Sequence, residues 1–182
     1  MATSLLLAPP RIAIPDPALV VLVGAAGAGK STFASRHFAA ADILSSDALR
    51  AALTGDEADQ RANRQAFSIL HRELSRRLAA GRTVVVDATN VERHARRALL
   101  ARAELAGVPA VAIVLALPPE VVADRNRARP GRVVDPEIVD RHLARLTTAV
   151  ERREFAAEGF AAVYLIDSTD GLDAAVVIAN GA

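Results

Sequence analysis

Short runs of aliphatic and β-branched residues alternate along this chain with longer stretches in which apolar positions recur every three or four residues. The short runs are Leu19–Val23, Asp42–Ser45, Thr83–Asp87, Ala110–Leu117 and Val163–Ile166. The continuous runs Leu19–Val23 and Thr83–Asp87 predict buried strands, and the other three read as further strands. Between them, Lys30–Ala40 sets Phe33 and His37 on one side of a helix. Asp59–Ala80 lines up Phe67, Leu70, Leu74 and Leu78 on an otherwise Arg/Glu-rich surface, and Glu92–Ala106 and Pro136–Glu154 read as further helices. Gly81 and Gly107 close two of them in the manner of C-caps. Pro118 opens a helix over Glu120–Arg127 that breaks at Pro130-Gly131, and Leu172–Ile178 is expected to form a C-terminal helix. Residues 1–17, with four prolines, read as an irregular or extended lead-in.

Strands alternating with helices imply an α/β fold with a five-stranded, mostly parallel sheet flanked by helices, and a ligand site beyond the carboxyl ends of the strands. No repeat or linker interrupts the pattern, so residues 1–182 are expected to form one domain, with 118–150 as a helical lid region.

Composition narrows this picture mainly by exclusion. Apolar residues make up 52% but aromatics only 3%, so the core must be built from Val, Leu, Ile and Ala. The absence of cysteine rules out disulfides and thiolate metal sites and suits a reducing compartment. A net charge of +1 gives no global signal for nucleic acid, so a polyanion site must come from local clustering. No segment has the charge and apolar length of a secretory signal or a membrane span, and the protein is expected in the cytoplasm. The four histidines share no metal-like spacing. Oligomeric state is open to the sequence, a homodimer included.

Four motifs carry chemistry, each at the carboxyl end of an expected strand. GAAGAGKS, Gly24–Ser31, fits the phosphate-cradling pattern G-x-x-x-x-G-K-[ST]. Gly24, Gly27, Ala28, Gly29, Lys30, Ser31 and Thr32 are the candidate nucleotide-binding set: backbone amides converge on phosphate oxygens, Lys30 reaches the terminal phosphates, and the Ser31 hydroxyl binds Mg²⁺. In LSSDALR, Asp47 is placed to take a proton from an attacking hydroxyl, with Arg50 one helical turn on. Capping of the next helix by Ser46 or Asp47 fits the same spacing. Asp87, at the tip of VVVD, stands where a carboxylate meets hydrated Mg²⁺, and Thr89 and Asn90 either contact substrate or make the turn. In DRNRARPGRVV, Arg125 and Arg129 share a helix face with Arg132 close by, a like-charge cluster expected to close on a triphosphate. Arg93, Arg96, Arg97 and Arg102, and the arginines from Arg61 to Arg82, are expected to be solvated surface.

Taken in order, these motifs resemble the kinase domain of bacterial polynucleotide kinase-phosphatase. The resemblance runs from IPDPALVVLVGAAGAGKSTFASRHF through ILSSDALR, DEADQRANRQAFSILH, VVVDATNVERHARRALL and DRNRARPGRVV to EGFAAVYLID. It implies a P-loop phosphotransferase, adenylate kinase-like in its core, that moves the γ-phosphate of ATP (or another nucleoside triphosphate) to a 5′-hydroxyl end of RNA or DNA in nucleic-acid repair. It also implies Asp47 as general base, Arg50 on the phosphate beside the acceptor hydroxyl, and Arg125 and Arg129, supported by Arg132, on the donor phosphates. The family enzyme continues into phosphatase and adenylyltransferase modules whose metal-ligand clusters this sequence lacks. The chain therefore reads as an excised kinase module or a stand-alone relative. Two other functions fit the same residues: a small-molecule kinase acting on a sugar, nucleoside or antibiotic hydroxyl, and a regulatory ATP-binding protein without an acceptor. Asp47 with Arg50 argues against the second of these.

Overall fold

The structure, a computed structural model, describes residues 10–54, 63–129 and 133–181. Its strands are β1 (Arg11–Asp16), β2 (Leu19–Val23), β3 (Ile43–Ser45), β4 (Val84–Asp87), β5 (Ala110–Leu115), β6 (Ala162–Ile166) and β7 (Val176–Gly181). The helices are α1 (Lys30–His37), α2 (Ser46–Thr54), α3 (Asn63–Ala79), α4 (Arg93–Ala106), α5 (Pro119–Arg127), α6 (Pro136–Glu151), α7 (Glu154–Ala157) and α8 (Thr169–Ala174).

Five strands form the central sheet in the order β3-β4-β2-β5-β6, with every neighbouring pair parallel. The apolar runs explain why. β2, β4 and β5 are buried along their whole length, and only a sheet covered on both faces accommodates such strands. Alternate side chains leave in opposite directions. Val20, Leu22, Val85, Val111, Ile113 and Leu115 face one layer with Phe33 of α1, Val122 of α5 and Val139 of α6. Leu19, Val21, Val84, Val86, Ala112 and Val114 face the other, with Leu70, Leu74 and Leu78 of α3 and Leu99 of α4. The expected α/β sheet of five strands is therefore present, and its register brings Val23, Ser45, Asp87 and Leu115 to one edge.

One terminal expectation is sharpened and one is corrected. Arg11–Asp16, within the lead-in expected to be irregular or extended, is a paired strand, and the end of the expected C-terminal helix, Val176–Ile178, belongs to another; β1 and β7 pair in parallel as a separate two-stranded sheet. Prolines dominated the reading of the first segment, but Ile12 and Ile14 alternate into the core, and Pro15 sits near the end of a strand with one neighbour. Tyr164 ties this sheet to β6: its hydroxyl accepts from the Ala13 amide at 3.1 Å and donates to the Ala13 carbonyl at 3.2 Å. The long helix expected to run to Glu154 stops at Glu151, where Arg153 turns with φ 53°, before the short α7. No helix among the described residues is long and apolar enough to cross a membrane.

Candidate functional site

A cavity of about 420 Å³ opens at the carboxyl ends of the central strands. Its floor is the loop from Gly24 to α1. Gly27 and Gly29 have φ of 88° and 93°, and a Cβ on Gly27 would lie 2.6 Å from the Val122 carbonyl oxygen, so the backbone of α5 occupies the space a side chain would need. With Gly29 as N-cap, α1 starts at Lys30, and its unpaired first amides face the cavity end of the helix.

Lys30 is buried, and its Nζ donates to the carbonyls of Gly24 at 2.9 Å and Ala25 at 2.8 Å. Burial pushes its pKa down to about 8; Asp87 opposes this, and Arg129 adds to it. A buried ammonium held by loop carbonyls is poised to exchange them for an anion, which is the behaviour a phosphate site requires. Ser31 and Thr32 line the cavity beside it.

Asp87 ends β4 in register with Leu22 and Ser45, and it is buried at the cavity wall with Ala88 and Thr89. The Ser31 hydroxyl and the Asp87 carboxylate are hard oxygen donors, and both border the space where phosphate oxygens would lie. This donor set fits Mg²⁺, which takes few protein ligands and keeps the rest as water and phosphate. Among the described residues no group of three or more His, Cys, Asp or Glu side chains forms a self-sufficient metal cage.

Opposite, Asp47 projects from the first turn of α2. It is ion-paired with the buried Arg50, and Arg129 Nη2 lies 3.7 Å from its other carboxylate oxygen. Ser45 Oγ accepts from the Ala48 amide at 3.3 Å, so Ser45, one residue before the expected cap, caps α2. Arg125 stands at the loop: a Cβ on Gly29 would lie 3.3 Å from its Nη1. Lys30, Ser31, Asp47, Asp87, Arg125 and Arg129 thus converge on one cavity. Arg50 meets it through Asp47, and Arg132 lies outside the described residues.

Other residues were not foreseen. Arg36, Leu172 and Asp173 complete the wall between α1 and α8, with Arg36 Nη1 3.5 Å from Asp173. No local signal marks them, because α8 is brought to α1 only by the fold. Asn126, buried among arginines, donates through Nδ2 to the Val134 carbonyl at 2.7 Å and accepts the Val134 amide at 3.1 Å through Oδ1, pinning α5 to the segment that enters α6. Asn90 is settled as a turn residue: its φ is 50°, and Nδ2 donates to the Leu22 carbonyl at 2.8 Å. Arg96, expected at the solvated surface, is fully buried. The signal was its spacing with Leu99 and Ala103, which puts it on the inward stripe of α4.

The loop, the helix it caps and the strand order define a P-loop protein of kinase-like fold, a fold that implies nucleotide binding. Residues 19–153 match the family model described as AAA domain, and the chain belongs to that family. A putative kinase from Chloroflexus aurantiacus j-10-fl superimposes with a TM-score of 0.61 at 16% identity, over 84% of this chain and 85% of that one. A chain from the Pnkp1/Rnl/Hen1 RNA repair complex gives 0.60 at 22% identity over 76% of this chain, which spans only 47% of that one. A gluconokinase from Sinorhizobium meliloti 1021 gives 0.54 at 20% identity, over 88% and 87%. Comparison with curated protein sequences returned no match.

Proposed function

We propose that the protein is a phosphotransferase that moves the γ-phosphate of ATP to the 5′-hydroxyl end of a polynucleotide. The observation that carries the transfer reading is the position of Asp47: a carboxylate faces the same cavity as Lys30 and the glycine loop, oriented by Arg50. A nucleotide-binding switch has no use for a base there. The acceptor oxygen attacks the γ-phosphorus, its O–H proton passes to Asp47, and the bond to the β–γ bridging oxygen breaks to release ADP. Lys30, Arg125 and the loop amides hold the donor phosphates while charge shifts toward the leaving oxygen. Ser31 and, by way of water, Asp87 would hold Mg²⁺, which would supply charge neutralisation on the phosphates.

The polynucleotide acceptor is supported by the ordered motifs and by the likeness to a chain of an RNA repair complex. A second reading, a small hydroxyl compound such as a sugar, is favoured by the end-to-end match to a gluconokinase and by a net charge of only +1. One experiment separates them. The protein is given γ-labelled ATP and Mg²⁺ with a 5′-hydroxyl oligonucleotide, its 5′-phosphorylated counterpart and a panel of sugars and nucleosides. Label on the 5′-hydroxyl oligonucleotide alone is expected. Labelled small molecules with no labelled oligonucleotide would overturn the polynucleotide acceptor, and no transfer to any hydroxyl would overturn the kinase reading.

A further inference from the structure

Behind the cavity wall lies a buried ionic cluster that touches neither proposed substrate. Arg96 of α4 and Glu158, just after α7, form a two-pronged pair, Nε to Oε2 at 2.7 Å and Nη2 to Oε1 at 2.6 Å, with both side chains sealed from solvent. The Phe155 ring lies 4.5 Å below the guanidinium carbon, and Glu154 approaches Nη2 at 3.6 Å. Arg145 of α6 binds Glu154 in turn, at 2.6 Å.

The remaining edge of Arg96 does something a plain core pair would not. Nη1 donates to the backbone carbonyls of Asn90 at 3.1 Å and Val91 at 2.6 Å. These two residues belong to the segment 88–91 that follows Asp87, and its far side is tied to the phosphate loop. The Gly24 amide donates to the Thr89 carbonyl at 3.0 Å, and the Asn90 side chain donates to the Leu22 carbonyl at 2.8 Å. Asn90 has a positive φ, a conformation that persists in a non-glycine residue only when surrounding contacts fix it. The segment is thus clamped between Arg96 behind and the first glycine of the loop in front, with Thr89 facing the cavity between them.

We propose that Arg96, held by Glu158, is a positioning residue for the nucleotide site. It fixes segment 88–91, and through the Thr89 carbonyl it fixes the entry of the phosphate loop at Gly24 and the attitude of Asp87. A guanidinium suits the task because its planar fork meets a carboxylate on one edge and two carbonyls on another; an ammonium at the same place serves one or the other. The inference rests on the glycine loop as the nucleotide site and needs no particular acceptor, so it is tested by binding rather than by turnover.

The test compares Arg96→Lys with Leu146→Ala, a core change in the same packed layer, under conditions where both are folded. Affinity for a fluorescent ATP analogue with Mg²⁺ is measured, along with hydrogen exchange of a peptide containing Gly24 and of one from β5. Arg96→Lys is expected to weaken the analogue on the order of tenfold, the lower end of what losing an outer partner costs at metal sites, and to speed exchange at Gly24 more than in β5. Leu146→Ala is expected to lower Tm while leaving affinity and the Gly24-to-β5 exchange ratio unchanged. Equal affinities and equal ratios in the two variants would overturn the proposal and leave Arg96 a purely structural group. Glu158→Gln keeps Arg96 and its carbonyl bonds but weakens its anchor, so a smaller shift in the same direction is expected. A folded Glu158→Gln protein with wild-type Gly24 exchange would also overturn the proposal if Arg96→Lys failed to fold. A wild-type protein that does not bind the analogue would instead refute the nucleotide site itself.

Discussion

Arg96 with Glu158 and Arg50 with Asp47 are both guanidinium–carboxylate pairs on the flank of one sheet, yet they serve opposite ends. The first is sealed, and its guanidinium makes four hydrogen bonds to protein partners. The second places a buried arginine behind a carboxylate that is one-quarter exposed and borders the cavity, with Arg129 at 3.7 Å on the other side. A closed pair fixes geometry, because every group that might react is already engaged. A pair whose carboxylate is partly exposed at the cavity fixes geometry and still presents that carboxylate to the space a substrate would fill.

The sharpest way to break this comparison is to remove the charge of Asp47 without removing its shape. Asp47→Asn is preferable to Asp47→Ala because Arg50 is buried against it, and truncation would disturb packing as well as chemistry. Loss of a general base costs roughly 10²- to 10⁴-fold in rate. We therefore expect kcat to fall by about that range while nucleotide affinity stays close to wild type, measured by labelled transfer and by calorimetry. Near-normal turnover in Asp47→Asn would mean that this cavity-facing carboxylate has no catalytic part and that both pairs are structural.

Only one of the two pairs could be read as a pair in the sequence. Asp47 and Arg50 sit three apart, so helical spacing places them on one face, and the expected proximity is found. Arg96 and Glu158 are 62 residues apart, and no local periodicity links them. What was legible at Arg96 was only that it heads the stripe continued by Leu99 and Ala103, a position where an arginine must be partnered or absent. The central sheet was legible for the opposite reason: fully apolar strands such as LVVLV and AVAIVL admit one environment only. The β1–β7 sheet was not, because it joins the two ends of the chain across a distance that local patterns do not span.

A smaller effect concerns the cation on the donor side. Lys30 has its pKa lowered to about 8 from an ordinary 10.5, chiefly by burial. Between those values the unfolded chain holds more protons than the folded one, so this group makes the unliganded protein more stable as pH rises from about 8 toward 10.5, not less. Binding runs the other way. Phosphate favours the charged lysine, so nucleotide affinity should fall as pH rises through 8, approaching tenfold per pH unit at most. Calorimetry at pH 8.5 in buffers of different ionisation enthalpy should register proton uptake on binding. Binding without uptake would show that Lys30 stays fully charged in the free site.

The smallest effect lies on the surface, where Glu73 accepts from Arg76 Nε at 2.9 Å and Nη2 at 2.8 Å and from Arg77 Nε at 2.7 Å. By hydrogen-bond count this cluster rivals Arg96 and Glu158. The bonds from Arg76 and then Arg77 hold the Glu73 carboxyl down at about 2. A depressed carboxyl contributes stability above its unfolded pKa near 4.5 and loses that contribution as pH falls through 2. Solvent weakens it at every pH, because Arg76 is two-thirds exposed and exposed pairs contribute less than about 1 kcal/mol. Breaking a buried pair costs roughly 3–5 kcal/mol, because the surviving charge has no water to turn to. Glu73→Gln should therefore lower stability at pH 7 by a few tenths to about 1 kcal/mol. The deficit should shrink in molar salt and vanish as the wild-type protein is acidified toward pH 2. Glu158→Gln should cost several times more and respond little to salt, and denaturant titrations of the two variants decide it. Equal losses would mean that the count of charged contacts, and not their burial, separates the clusters of this protein.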